Sequence, residues 1–103
     1  MKGQYLPAST LSGLLGAWAD GTGPAYRVLA ERLRLLIADG RIMPGSRLPS
    51  ERELTDALGV SRTTVASAYR ELRDGGYLMS RRGSGSVTAL PGRLEPELGR
   101  GGR

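Results

Sequence analysis

The sequence contains no cysteine and no histidine in its 103 residues. Without cysteine it cannot form a disulfide or a thiolate metal site, and without histidine it lacks the commonest general base and metal ligand. It also has no run of about 18 apolar residues, so no membrane span is predicted. Met1-Lys2 is followed by Gly3 and Gln4 rather than by an apolar segment, so no signal peptide is expected. We therefore expect a cytoplasmic chain with no metal site and no cofactor.

The remaining polar residues do not indicate catalysis. The acidic side chains are scattered over predicted helix faces, where charges are usually solvated. The glycine–serine run at residues 83–86 lacks the spacing and the lysine of a phosphate-binding loop. We therefore expect that the chain is not an enzyme.

Lysine is nearly absent as well. Lys2 is the only lysine among the fifteen basic residues, and all the others are arginine. The net charge is +5, which by itself favours polyanion binding only loosely. Hydrophobic residues make up 39% of the chain, which is enough for one small domain with a modest core.

The stretch from Leu48 to Leu72 has the signals of two short helices joined by a tight turn. Ser50 and Glu53 are spaced as a capping box for the first helix, and Gly59 stands where a left-handed residue ends a helix. Ser61 is placed to cap the second helix. Helices this short bury little surface alone, so they must pack on each other and on a further element. Their predicted apolar stripes are Leu54, Ala57 and Leu58 in the first helix, and Val65, Ala68, Tyr69 and Leu72 in the second.

Polar residues crowd the first turn of the second helix: Ser61, Arg62, Thr63 and Thr64. Free amides and the positive end of the helix dipole suit a phosphate at this position. Arg62 can also donate two hydrogen bonds to a guanine edge. This is the arrangement of a helix-turn-helix, whose second helix enters the DNA major groove.

The segment before this pair predicts two further helices. Residues 1–10 lack periodicity and are expected to be mobile. A short amphipathic helix follows, with Ser9 or Thr10 as its cap. Its apolar stripe either packs on the domain as a lid or forms a dimer contact, and we favour the lid. Its stripe is Leu11, Leu14, Leu15 and Trp18.

Pro24 suits the first position of the next helix, which extends to Gly40. The spacing of Arg27, Glu31 and Arg34 predicts ion pairs on its outer face. Its predicted apolar stripe is Tyr26, Leu29, Leu33, Leu36 and Ile37.

A turn at Pro44-Gly45 follows, with Ile42 and Leu48 as core anchors and Arg47-Leu48 as a candidate short strand.

A β-hairpin is predicted directly after the helix pair. Its strands are residues 77–80 and 86–90, and its loop is the glycine-rich segment from Arg81 to Gly85. A hairpin in this place is a wing, and its arginines suit a minor-groove or phosphate contact. A solvated loop with incidental charge is the alternative, and the preceding helix pair favours the DNA interpretation.

At this point the sequence resembles a known family. The motifs P-G-x-x-L-P-S-E-R-x-L, L-G-V-S-R-x-T-V and A-Y-x-x-L-x-x-x-G-Y-L are similar to those of GntR-family bacterial transcription regulators. The segment LLGAWADGTGPAYRVLAERLR and the wing SRRGSGS most resemble the MocR subfamily. The resemblance implies a mainly α fold with a small β-hairpin wing, a winged helix-turn-helix.

The resemblance also implies the residues that contact DNA. Many family members carry arginine where this chain has Ala66, so base preference is expected to differ. Arg70 is either a phosphate contact or a solvated charge paired with Asp74, and the sequence favours neither. The expected DNA-binding residues are Arg52, Ser61, Arg62, Thr63, Thr64, Arg70, Arg82 and Gly83.

The expected organisation is an N-terminal arm at 1–23, the DNA-binding domain at 24–90 and a flexible linker or tail at 91–103. The expected partner is double-stranded DNA, with a homodimer on paired half-sites as a possibility. In the MocR subfamily the winged domain is fused to an aminotransferase-like domain that binds pyridoxal phosphate. No pyridoxal phosphate site is predicted here, since Lys2 is the only lysine that a Schiff base could use. The alternative function is an interaction module that binds a protein partner or interferes with a full-length relative.

Overall fold

The computed structural model describes residues 5–81 and 85–91, apart from the side chains of Asp20 and Arg81. Within these segments the elements follow the order of a winged helix-turn-helix. They are α1 Ala8–Leu15, α2 Ala25–Ala38, α3 Glu51–Leu58, α4 Arg62–Asp74, β1 Leu78–Arg81 and β2 Gly85–Thr88, with one 3₁₀ turn at Trp18–Asp20. The prediction of a mainly α fold with a hairpin wing is confirmed. None of the described helices has the length and apolarity needed to span a bilayer.

The N-terminal segment departs from the prediction. Tyr5 is paired in parallel with Arg47, and the Leu6 amide donates to the Arg47 carbonyl at 2.8 Å. The expectation of mobility was therefore wrong for residues 5–10, while residues 1–4 lie outside the described residues. Helix α1 begins at Ala8, directly after Pro7, rather than at a Ser9 or Thr10 cap.

The stripe of the N-terminal segment packs into the domain, as the lid interpretation requires. Leu11, Leu15 and Trp18 are buried, and Leu14 is half-buried against the same core. Helix α1 packs on α3, and the turn at Trp18 packs on α2. The apolar surface of α1 is therefore covered by this chain itself.

Helix α2 is the scaffold of the domain, and its main partner is α4. Leu29, Leu33 and Ile37 are almost fully buried, while Tyr26 is only half-buried. Among the predicted ion pairs, the Arg34 guanidinium contacts the Glu31 carboxylate. In the described segments this is the only ion pair, so the Arg27–Glu31 pair is not formed.

The helix pair forms with the predicted caps and one difference in burial. Gly59 ends α3 in the left-handed conformation, with φ 70° and ψ 32°. The stripe of α4 is buried as predicted, whereas in α3 only Leu54 is fully buried. Ala57 is exposed, while Leu58 is half-buried against the core.

The wing is an antiparallel hairpin with Leu78 opposite Thr88 and Arg81 opposite Gly85. Its strands begin and end one or two residues away from the predicted positions. The predicted Arg47-Leu48 strand forms as a single pairing of Arg47 with Val87 on β2. Two further hydrogen bonds hold this edge, from the Leu48 amide to the Ser86 carbonyl at 2.9 Å and from the Thr88 amide to the Ser46 carbonyl at 2.8 Å.

Candidate nucleic-acid interface

Helix α4 begins at Arg62 because Ser61 caps it. The Ser61 side-chain oxygen accepts a hydrogen bond from the Thr64 amide at 3.1 Å. The two hydroxyls of Ser61 and Thr64 also lie 2.9 Å apart. This cap is the one that the sequence predicts, and it determines which side chains lie at the tip of the helix.

The tip of α4 is exposed, cationic and rich in donors. Ser61, Arg62 and Thr63 are all exposed, and no acidic residue lies in the first turn. Within the described residues, the amides of Arg62 and Thr63 have no acceptor. Free amides and an uncompensated helix dipole together make this end of the helix suitable for an anion.

The N-terminus of α3 is electrostatically different. Its first turn carries Glu51 and Glu53. The Glu53 carboxylate accepts from the Ser50 amide at 3.0 Å, and the Ser50 side chain accepts from the Glu53 amide at 3.1 Å. The hydrogen bond from the Ser50 amide lowers the pKa of the Glu53 carboxyl, with smaller contributions from the Ser50 and Tyr5 hydroxyls and the Arg47 charge. Because α3 already holds its own carboxylate, an external anion fits better at α4.

Two arginines flank the tip of α4. Arg52 is exposed on the first turn of α3, which packs directly on α4. Arg70 is exposed two turns along α4 from Arg62. Over residues 5–81 and 85–91 neither arginine forms an ion pair, so the local Arg70–Asp74 pairing is not made.

Thr64 is less available than its neighbours. It is half-buried, and its hydroxyl lies against that of Ser61. In this arrangement Thr64 supports the cap, whereas Thr63 is exposed.

Two of the predicted site residues were assigned to the wing loop. Arg82 and Gly83 lie outside the described residues. The described hairpin ends with Arg81 opposite Gly85. Gly85 has φ 76°, the left-handed conformation that glycine favours after a short hairpin loop.

One contact that sequence reasoning missed holds the two helices in place. Tyr69 is 1% exposed, and its hydroxyl donates to the Pro49 carbonyl at 2.7 Å. Burial raises the pKa of this hydroxyl, so it remains a protonated donor. The contact joins the middle of α4 to the residue before the Ser50 cap. The sequence marked Tyr69 only as an apolar position, since no periodicity reveals the target of a buried hydroxyl.

A second missed contact involves the N-terminal arm. The Tyr5 hydroxyl donates to the Glu53 carboxylate at 3.3 Å, and the Arg47 guanidinium lies 5.1 Å from the centre of the Tyr5 ring. The only sequence signal was that Leu6 precedes Pro7, since a residue before proline favours an extended backbone.

One depression in the described surface lies away from these residues. It has a volume of about 560 Å³ and is bordered by Trp18, Val28, Arg32 and Leu35. None of the predicted site residues lines it. The candidate interface is instead the convex tip of α4 with Arg52 and the wing beside it, as expected for a surface that enters a groove.

The fold and this surface together define a winged helix-turn-helix protein in which the N-terminal tip of α4 is cationic. The family model for bacterial regulatory proteins of the gntR family matches residues 25–87. The chain belongs to this family.

Three similar curated proteins are named as regulators. An HTH-type transcriptional regulator of Mycobacterium tuberculosis is 46% identical over 83 residues, which are 81% of this chain and 30% of that protein. The pyridoxine biosynthesis regulator PdxR of Corynebacterium glutamicum is 50% identical over 57% of this chain and 13% of its own length. The probable rhizopine catabolism regulator MocR of Rhizobium meliloti is 45% identical over 70% of this chain and 15% of its own length. The chain thus spans less than a third of each of these relatives.

Solved structures show the same fold. YtrA from Sulfolobus acidocaldarius, a GntR-family transcription factor, has a TM-score of 0.67 at 34% identity over 75% of this chain and 81% of that chain. The DNA-binding domain of AraR in complex with an operator has a TM-score of 0.60 at 34% identity over 68% of this chain and 85% of that chain.

Proposed function

We propose that this chain is the DNA-binding part of a transcription regulator and that it binds double-stranded DNA sequence-specifically. The observation that carries the proposal is the tip of α4. It combines exposed Arg62 and Thr63, two free amides and a first turn without carboxylates. A similar domain, that of AraR, was solved in complex with its operator.

In the proposed mechanism, the tip of α4 enters the major groove and the wing lies on the minor groove or on phosphates. Arg62 reads a base edge, while Ser61, Thr63 and the free amides contact phosphate. Thr64 supports the cap and lies at the edge of the same contact. Arg52, Arg70 and the wing residues Arg82 and Gly83 add backbone contacts. Phosphate contacts supply affinity without sequence preference, and base contacts supply the preference.

The organisation that we propose has residues 24–90 as the DNA-binding domain, preceded by the arm at 1–23 and followed by a linker or tail at 91–103. We assign the chain to the MocR-like branch on the resemblance of the segment before α2 and of the wing sequence to that branch. Such a regulator acts on chromosomal DNA in the cytoplasm, as a homodimer when its half-sites are paired. Isolation of the natural gene product would test the branch: a further domain that binds pyridoxal phosphate supports it, and a further domain of another GntR branch contradicts it.

The interaction-module alternative has less support in the structure. One form of it used the stripe from Leu11 to Trp18 as the contact with a partner. Three of its four side chains are instead buried in the core of this chain. A protein partner would therefore need another surface.

The test is selection from random duplex DNA at two salt concentrations, followed by sequencing. Enrichment of a short motif with a steep salt dependence is the expected result, and regularly spaced pairs of the motif would indicate a dimer. Salt-dependent binding without enrichment would contradict sequence-specific recognition. The absence of binding at both salt concentrations would refute the proposed function altogether.

Two variants assign the contacts. Arg62→Ala should lose about 1–3 kcal/mol on the selected site and relax preference at one base pair. Arg82→Ala should weaken binding to selected and scrambled duplexes equally and should reduce the slope of log affinity against log salt concentration by about one. An unchanged ratio of selected to scrambled binding in Arg62→Ala would contradict base reading by this arginine.

A further inference from the structure

Arg47 lies on the outer face of the wing sheet. Its neighbours Ser46 and Leu48 are buried, and side chains alternate along an extended segment, so Arg47 points to the opposite side and is exposed. Arg47 is paired with Val87 on β2 and with Tyr5 on the other side. It therefore occupies an inner position of the sheet, flanked by backbone on both sides.

The guanidinium of Arg47 is held by an aromatic ring, and its charge lowers the pKa of the nearby Glu53 carboxyl without forming an ion pair with it. It lies 5.1 Å from the centre of the Tyr5 ring, within the range of a cation–π contact. No carboxylate forms an ion pair with it among residues 5–81 and 85–91. Within the same residues its side chain makes no hydrogen bond, so its donors are free for a ligand.

Tyr5 is itself fixed from two directions. The Leu6 amide donates to the Arg47 carbonyl at 2.8 Å, and the Tyr5 hydroxyl donates to Glu53 at 3.3 Å. Glu53 belongs to the capping box of α3. The Tyr5 ring is thus tied to the sheet and to the first turn of α3 at the same time.

Arg47 lies between two parts of the proposed interface. In the chain it precedes the Ser50 cap by three residues, close to Arg52. Across the sheet it is opposite Val87, two residues from Gly85 at the wing loop. A strand of DNA backbone that passes from the N-terminus of α3 to the wing would cross this position.

We propose that Arg47 is a further phosphate contact of the DNA interface and that Tyr5 is the positioning residue that holds its guanidinium. This rests on the proposed function. A guanidinium that is held against an aromatic ring loses less conformational freedom on binding than one that is free in solvent. The N-terminal arm would in this way contribute to affinity without touching DNA itself.

The test compares DNA affinity over a range of salt concentrations for the parent, Arg47→Gln and Arg32→Gln. Arg32 is the matched control, since it is an exposed arginine of α2 beside the Trp18 depression. Loss of one phosphate contact should reduce the affinity ratio between 50 and 200 mM salt by about 3.5-fold, equally on selected and scrambled duplexes. Arg32→Gln should leave that ratio unchanged. An equal salt dependence in Arg47→Gln and the parent would overturn the phosphate contact.

Tyr5 is tested by a double-mutant cycle. Tyr5→Ala should weaken DNA binding in the parent but have no further effect in Arg47→Gln, and Tyr5→Phe should restore most of the loss because it keeps the ring. A loss from Tyr5→Ala that persists in Arg47→Gln would overturn the positioning role and indicate a general effect on α3.

The proposed function is tested separately in the same experiment. A parent that binds, with Arg62→Ala losing sequence preference and Arg47→Gln unchanged in salt dependence, overturns only the role of Arg47. A parent that does not bind overturns both proposals.

Discussion

Tyr69→Phe should destabilise the domain more than the loss of one oxygen atom suggests. The Tyr69 hydroxyl donates to the Pro49 carbonyl at 2.7 Å, and both residues are almost completely buried. Within the described segments the Pro49 carbonyl accepts no other hydrogen bond. The variant would therefore leave a buried carbonyl without a donor.

The expected cost follows from that carbonyl. A buried polar group that loses its only partner costs about 1–3 kcal/mol. For a domain of this size, a loss of about 2 kcal/mol corresponds to a decrease in Tm of about 8–16 °C. The packing term is small, because phenylalanine keeps the ring that fills the space between α4 and the segment before α3.

The assay is thermal unfolding followed by circular dichroism, with urea unfolding as the second measurement. Tyr26→Phe is the matched control, because Tyr26 is only half-buried at the start of α2 and the same atom is removed. We expect the control to stay within about 0.5 kcal/mol of the parent. An equal Tm for the two variants would refute the role assigned to the Tyr69 hydroxyl. A change in the urea m-value would show that the variant altered the unfolded state as well.

Three further predictions concern the caps and the lid. Gly59→Ala should lower Tm, because Gly59 has φ 70° and an alanine in that conformation costs about 1–2 kcal/mol. The control Gly13→Ala, inside α1, should instead stabilise the domain by about 0.5–1 kcal/mol. Thermal melts in which both variants shift Tm in the same direction would contradict this conformational account. The pKa of the Glu53 carboxyl in the folded state lies below its ordinary value of 4.5. The ionised carboxylate therefore contributes to folding stability above that pH, and this contribution is lost as the pH falls further. Unfolding of the parent should therefore become easier between about pH 6 and pH 3 by more than that of Glu53→Gln, and parallel pH profiles would exclude a role for this carboxylate. Trp18→Ala should lower the free energy of unfolding by about 3 kcal/mol, because Trp18 is 7% exposed in the core. The variant protein should nevertheless have the same mass in sedimentation as the parent. A mass that falls only in the variant would support the dimer-contact interpretation.

Local patterns in the sequence were sufficient for the helix pair and its caps. The Ser50–Glu53 box, the left-handed Gly59 and the Ser61 cap each involve residues within four positions of one another. Interactions over such short separations are set by backbone geometry and need no information about the rest of the chain. The buried stripe of α4 followed from helical periodicity in the same way.

Burial in α3 was harder to predict from the same periodicity. Periodicity marked Ala57 as a core residue, but only the packing of α3 on α1 and α4 decides which part of the stripe is covered. Ala57 is not covered by this packing and is exposed.

The tertiary structure alone decided the contacts between distant residues. Tyr69 and Pro49 are twenty positions apart, and Tyr5 and Glu53 are forty-eight apart. Neither pair leaves a periodic signal, because a single hydroxyl that meets a single acceptor depends on how whole elements are placed. The sequence by itself thus determined the main helices, the caps of the helix pair and the arginine at the tip of α4. The fold determined that a tyrosine from the N-terminal arm lies against Arg47, between the helix pair and the wing.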